Sequence, residues 1–199
     1  MANLSSFKQK IGYGIRPNLF RITVPNSSSF GSWASEGNVT TDISFLCRSA
    51  GLPASSIGTV EVPFRGRVIK LAGDRTFESW TVTMFADKDL AIRGYFEKWL
   101  DKMNEHRSGA GYTDNYFRDL KVEQFQRGTG STADATNAST PHNVIRTYKF
   151  INAFPTNVSQ IDLSYDNNNS IAEYTVEFQY DWWEVETGTG DRAGTGSIA

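Results

Sequence analysis

The amino-acid sequence predicts a mainly β (α+β) domain, an antiparallel β-sandwich or barrel of about eight strands with one flanking α-helix and a projecting hairpin. Three observations carry this. Apolar residues recur at period two, as in Trp80, Val82 and Met84 against Ser79, Thr81 and Thr83. One stretch carries a helical stripe instead, Ile92, Phe96, Trp99 and Met103, at spacings of three and four. Breaks rich in Gly, Pro, Ser and Asn separate these segments. A chain of 199 residues suits one domain with its own core. The expected organisation is an N-terminal arm at 1–15, a domain at 16–184 and a flexible C-terminal tail at 185–199.

Phe20, Ile22 and Val24 alternate as a half-buried strand that Pro25 stops. Residues 26–38, rich in Ser, Gly and Asn around Phe30 and Trp33, suit a surface loop. A strand resumes near Thr40, with Ile43, Phe45 and Cys47 alternating against Ser44 and Arg48 until Gly51-Leu52-Pro53. Thr59–Pro63 and Val68–Ala72 flank Phe64-Arg65-Gly66-Arg67, which predicts a projecting hairpin with a basic tip. Phe77–Phe85 is the clearest strand, since Thr and Val favour extended backbone.

The helix is expected from about Lys88 to His106, capped by Asp87 and ended before Gly109. Gly94 within it costs about 1 kcal/mol relative to Ala, which suggests close packing at that point. Tyr116–Phe125 and Val144–Ile151 read as strands around a polar loop at 127–143. Val158–Tyr165 and Ile171–Glu184 form a hairpin across Asp166-Asn167-Asn168-Asn169-Ser170. There is no internal repeat.

Composition excludes several classes of function. Twenty Lys and Arg against 22 Asp and Glu give a net charge of −2, which lacks the cationic excess of a tight DNA binder. No apolar run approaches the roughly 20 residues that cross a bilayer, and the N-terminus lacks a signal-peptide core. With one cysteine there is no internal disulfide, so synthesis in the cytoplasm is expected.

No catalytic constellation is visible. His106 lies on the helix and His142 in a polar loop, and both read as solvated rather than catalytic. Cys47 reads as a packing residue. No Cys/His cluster has zinc spacing, the Asp166–Asn169 turn lacks the Gly and Glu of a calcium loop, and the glycines form no phosphate cradle. No metal or cofactor is expected.

The last strand sets Ala172, Tyr174, Val176, Phe178, Tyr180 and Trp182 on one face. Glu173, Thr175, Glu177, Gln179 and Asp181 take the other, with three carboxylates and no cation. That face is either an ordinary solvated surface or the wall of a channel for a polyanion, where fixed negative charge repels phosphates.

Three segments resemble the tail tube proteins of T4-like contractile phages. They are Arg16-Pro17-Asn18-Leu19-Phe20; Ala72-Gly73-Asp74-Arg75-Thr76-Phe77 with Trp80-Thr81-Val82-Thr83; and Pro155-Thr156-Asn157-Val158 with Asp166–Asn169 and Asp181-Trp182-Trp183-Glu184. The resemblance spans about Arg16 to Glu184. It implies a structural subunit of the virion tail, in hexameric rings whose sheets join into a continuous inner barrel and which stack inside a contractile sheath. Its partners would be copies of itself, the sheath protein, and baseplate and tail-terminating proteins, with DNA passing through the lumen without tight binding. Arg65 and Arg67, on the hairpin, would be inter-subunit contacts. Asp74 and Arg75 would brace its base as an ion pair or inter-subunit contact. Glu173, Glu177 and Asp181 are the candidate lumen-facing residues. Two other readings stay open: the tube of a related contractile injection system, such as a bacteriocin or secretion apparatus, and a monomeric binding module using Trp33, Trp99 or Trp183.

Overall fold

A computed structural model describes residues 3–12, 14–24, 39–111, 116–125, 144–166 and 168–187. The loops at 26–38 and 127–143, with Trp33 and His142, and the tail from 188 therefore lie outside the described residues. The elements in chain order are α1 (Leu4–Ile11), β1 (Phe20–Thr23), α2 (Val39–Leu46), β2 (Cys47–Ala50), β3 (Ser55–Phe64), β4 (Arg67–Phe77), β5 (Trp80–Phe85), α3 (Ala91–Met103), β6 (Arg118–Phe125), β7 (Val144–Val158), β8 (Glu173–Gln179) and β9 (Trp182–Thr187).

Seven strands form one sheet in the order β1-β6-β7-β8-β5-β2, with β9 also on β7, and every pairing is antiparallel. The path stays open rather than closing into a barrel. Strand β7 is the pivot. Its first part pairs with β6 and β9, and its second part, from Phe154, pairs with β8.

Between these parts the chain turns a corner. Asn152 has φ 54°, and Asp119 of β6 is skipped in the register, so β7 carries an extra residue there. Phe150 and Ala153, three apart, are both fully buried, because the bulge shifts the alternation by one. The Asn152 amide N–H donates to Asp119 Oδ1 at 3.3 Å, and its side chain donates to Asp181 Oδ2 at 2.7 Å.

The two halves cover one core. Ile22, Leu120, Val122 and Phe150 come from one half, and Trp80, Val82, Met84, Tyr174, Val176 and Phe178 from the other. Trp80 bridges them, stacked on Phe150 at 4.4 Å between ring centroids. Helix α3 closes the core with Ile92, Tyr95, Phe96 and Trp99, and Phe96 packs edge-on against Phe178 at 5.8 Å. Each such side chain contributes roughly 1.5–3 kcal/mol by leaving water.

Helix α3 is shorter than expected and its N-cap is the left-handed Leu90 rather than Asp87, although Asp87 Oδ2 accepts the Ala91 amide N–H at 2.8 Å from four residues back. Gly94 faces open space, so the expected close packing there is absent.

Three other expectations are corrected. Residues 39–46 form a helix, not a strand: Ile43 is buried with Leu46 and Cys47 beside it at helical spacing, whereas Phe45 is 78% exposed. The segment 159–165 is not a strand, since Leu163 and Tyr165 point into solvent and no neighbour pairs with them. The long last strand is two strands, β8 and β9, separated at Tyr180–Asp181 by the step from one half of the sandwich to the other. No described helix is long and apolar enough to cross a membrane.

Candidate assembly surfaces

Strands β3 and β4 form a separate two-stranded sheet that projects from the sandwich. Its turn consists of Arg65 and Gly66, both left-handed at φ 45° and 79°, the two-residue geometry whose twist matches antiparallel strands. Below the turn, Phe64 faces Arg67, Val62 faces Ile69 and Val60 faces Leu71, and directly opposed residues share a face. One face is therefore mostly apolar, with Val60, Val62, Phe64, Ile69 and Leu71, and with Arg67 opposite Phe64. The other carries Thr59, Pro63, Val68, Ala72 and a Glu61–Lys70 pair at 3.5 Å.

This apolar face is exposed among the described residues. Val62 is 40% exposed and Phe64 57%. A two-stranded hairpin in water is marginal by itself, and contiguous exposed apolar area of this kind marks a protein interface.

The base is held firmly. Trp80 Nε1 donates to Gly51 O at 2.6 Å, Trp183 Nε1 to Ala54 O at 3.4 Å, and Arg75 Nη1 to Ser55 Oγ at 3.3 Å. Ser56 and Thr76 hydroxyls meet at 2.7 Å. At the bulge opposite Gly58, a side chain on Gly73 would lie 3.1 Å from the Gly58 carbonyl oxygen, so the backbones approach as only glycine permits.

Asp74 lies in the bulge of β4 opposite Gly58, and Arg75 follows it opposite Ile57. No ion pair joins them among the described residues. Arg65 lies over the Phe64 ring at 5.4 Å, and neither it nor Arg67 has a carboxylate partner among the described residues.

A second surface is the outer face of β8, β5 and the end of β7. Glu173, Thr175 and Glu177 alternate with the buried Tyr174, Val176 and Phe178, and they lie opposite Phe85, Thr83 and Thr81. Asn157 adjoins Glu177 from β7. The face is small, polar and hydroxyl-rich.

Two features differ from the sequence expectation. Asp181 is not on β8 but in the bend before β9, where it accepts from Asn152. The face is not free of cations either, because Arg48 of the neighbouring β2 pairs with Glu173. Arg48, Thr81, Thr83 and Asn157 escaped the sequence reading because only strand order brings them beside β8. The hairpin's apolar face escaped it too, although Val60-Glu61-Val62-Pro63-Phe64 carries the alternation openly.

Cys47 and His106 are the described cysteine and histidine. Burial pushes the Cys47 thiol up to about 12, outweighing the lowering effect of the Ser49 backbone. His106 is exposed, with Nδ1 2.8 Å from Asp101 Oδ1; this imidazole, chiefly through that bond, draws the Asp101 carboxyl below its ordinary value. No group of three or more His, Cys, Asp or Glu is placed to hold a metal among the described residues.

The fold, a bent antiparallel sandwich with a flanking helix and a projecting hairpin, has counterparts among solved structures of contractile injection systems. A chain from the sheath–tube complex of an extracellular contractile injection system matches with a TM-score of 0.56 at 13% identity, over 94% of this chain and 99% of that one. In sequence, the tail tube protein of Enterobacteria phage T4 is 30% identical over 169 residues, 85% of this chain and 90% of the relative. That of Serratia phage KSP90 is 27% identical over 185 residues, 90% and 95% of the two chains. The profile of the phage tail tube protein family matches residues 15–186, and the chain belongs to that family.

Proposed function

We propose that this chain is the non-enzymatic structural subunit of a contractile phage tail tube, self-assembling into stacked hexameric rings that form the conduit for genome delivery. The observation that carries this reading is the hairpin. Its face of Val60, Val62, Phe64, Ile69 and Leu71 is apolar and exposed among the described residues, so copies of the chain are the economical partner. Arg65, Arg67, Asp74 and Arg75 then serve as inter-subunit contacts around that face. In the ring, the β2-β5-β8 edge joins the sheet of the next subunit, and the polar face bearing Glu173 and Glu177, with Asp181 at its end, lines the lumen. The carboxylates there repel DNA phosphates, and the Arg48 cation beside them is paired with Glu173.

The sheath would pack on the outside of the tube, with baseplate and tail-terminating proteins at its ends, which places the subunit in the virion tail after synthesis in the host cytoplasm. The fold likeness to an injection-system tube keeps a second reading, a tube of that kind, but at 13% identity it supports the fold alone, against 30% for the phage relative.

Electron microscopy of the purified protein is the test. Rings or tubes are expected, spontaneously or on a baseplate nucleus. A protein that stays monomeric at high concentration with a nucleus supplied would overturn the proposal.

A further inference from the structure

Helix α1 carries an apolar stripe that stands in water. Leu4, Phe7 and Ile11 recur at i, i+3 and i+7 and are 66%, 60% and 54% exposed, and no residue of the helix is buried. Lys8 and Lys10 flank the stripe, and the helix holds no carboxylate. From Arg16 onward the chain is held by β6, where Gln124 Nε2 donates to Arg16 O at 2.9 Å and to Leu19 O at 2.7 Å. Upstream of Arg16 the backbone turns rather than extends. Gly12 and Gly14 have φ of 55° and 65°, and the Gly14 amide N–H donates to Ile11 O at 2.9 Å.

A groove of matching character lies at the C-terminal end of α3. Leu100, Met103 and Asn104 of the helix, with Tyr116, Phe154 and Pro155, line an opening of about 570 Å³ among the described residues. Its walls are fixed: Tyr116 stands edge-on to Phe154 at 5.6 Å, and Trp99 Nε1 donates to Tyr116 O at 2.9 Å. Glu97 and Asp101 precede Leu100 and Asn104 by three residues and border the groove on α3, whereas Lys98 and Lys102 fall on the far side of that helix. The stripe is thus apolar with basic flanks, and the groove is apolar with an acidic border.

The groove is out of reach of the helix in its own chain. Ala153 pairs with Arg118, so Phe154 lies at one end of β6, whereas Gln124, which holds Arg16, lies near the other, roughly 20 Å away at the usual strand rise. The backbone from Arg16 to Ile11 would span only about 17 Å if fully extended, and it is turned.

We infer that α1 docks in the α3–β7 groove of a second copy of this chain. Phe7 enters the groove, Leu4 and Ile11 lie against its rim, and Lys8 and Lys10 meet Glu97 and Asp101. Anchors at i, i+3 and i+7 are the pattern by which an amphipathic helix fills an apolar groove, and opposite charge sets its orientation. The contact rests on the reading above that copies assemble, and it adds a clasp supplied by neither the sheet edge nor the hairpin.

The test is cross-linking between copies. F7C and N104C subunits, each also carrying C47A, are mixed in equal amounts, assembled and treated with a bis-maleimide. A covalent dimer should appear on a denaturing gel, absent when either variant is assembled alone. Separately, F7D should raise the protein concentration needed for assembly at least about tenfold, and K8E/K10E should raise it by a smaller factor that E97K/D101K reverses. Phe7, Lys8, Lys10, Glu97 and Asn104 are exposed, and circular dichroism verifies that each variant folds. A mixture without the dimer, a cross-link confined to single F7C/N104C chains, or F7D assembling at the wild-type concentration would overturn the clasp and leave the tube reading intact. Wild-type protein that forms neither rings nor tubes would instead sink the tube reading, and the clasp with it.

Discussion

Strands β5 and β3 are written in the same alternating pattern and come to opposite ends. In β5, Trp80, Val82 and Met84 are nearly inaccessible, covered by α3 and the other half of the sheet. In β3, Val60, Val62 and Phe64 stand in water. Alternation specifies a strand with one apolar face; it does not specify that the covering surface belongs to the same chain. The sandwich buries its apolar face within this polypeptide, whereas the hairpin is covered by another copy only in the proposed tube.

The contrast can be attacked from either side. Removing the centre of the sandwich should have the largest effect: F178A deletes a ring packed against Trp80, Phe96 and Trp99 and should cost about 3–5 kcal/mol, read from denaturant unfolding. A loss below about 1 kcal/mol would mean that the core is organised differently.

Alkaline pH should act on the sandwich next. Burial lifts Cys47 from an ordinary 9.0 to about 12 and Tyr95 from 10.0 to about 12, and it raises Tyr174 as well. The folded state therefore keeps protons that the unfolded chain releases. Stability should be level below pH 9 and fall between the unfolded and folded values, which a series of unfolding midpoints from pH 8 to 12 measures.

G94A should raise stability by about 1 kcal/mol, since a methyl group there meets open space within a helix. The smallest effect on subunit stability belongs to V62K, expected within about 0.5 kcal/mol of wild type because the position is already exposed. The same substitution should abolish tube formation, as seen by sedimentation. A hairpin variant that destabilised the subunit as F178A does would erase the distinction between the two regions.

Much of this was legible in the sequence, and the failures have physical causes. Helix α3 could be read from Ile92, Phe96 and Trp99, and the hairpin from Arg65-Gly66 between extended runs. Helix α2 could not, because Ile43, Phe45 and Cys47 fit period two while Ile43, Leu46 and Cys47 fit a helix, and only burial decides. The break between β8 and β9 was hidden because Tyr180-Asp181 has no turn chemistry; the chain changes sheets there through the Asn152–Asp181 contact on β7. Among the candidate site residues, the hairpin arginines sit at the expected tip. Arg48 beside Glu173 could not be foreseen, since that neighbourhood is created by the strand order β8-β5-β2.

Amide hydrogen exchange compared between dilute subunit and assembled tube tests the central claim most directly. In the dilute subunit, β5 and β8 should be protected while β3 and β4 exchange quickly, and assembly should slow β3 and β4 by orders of magnitude with little change in β5 and β8. A hairpin already as protected as the sandwich in the dilute subunit, or unprotected in the tube, would contradict the account.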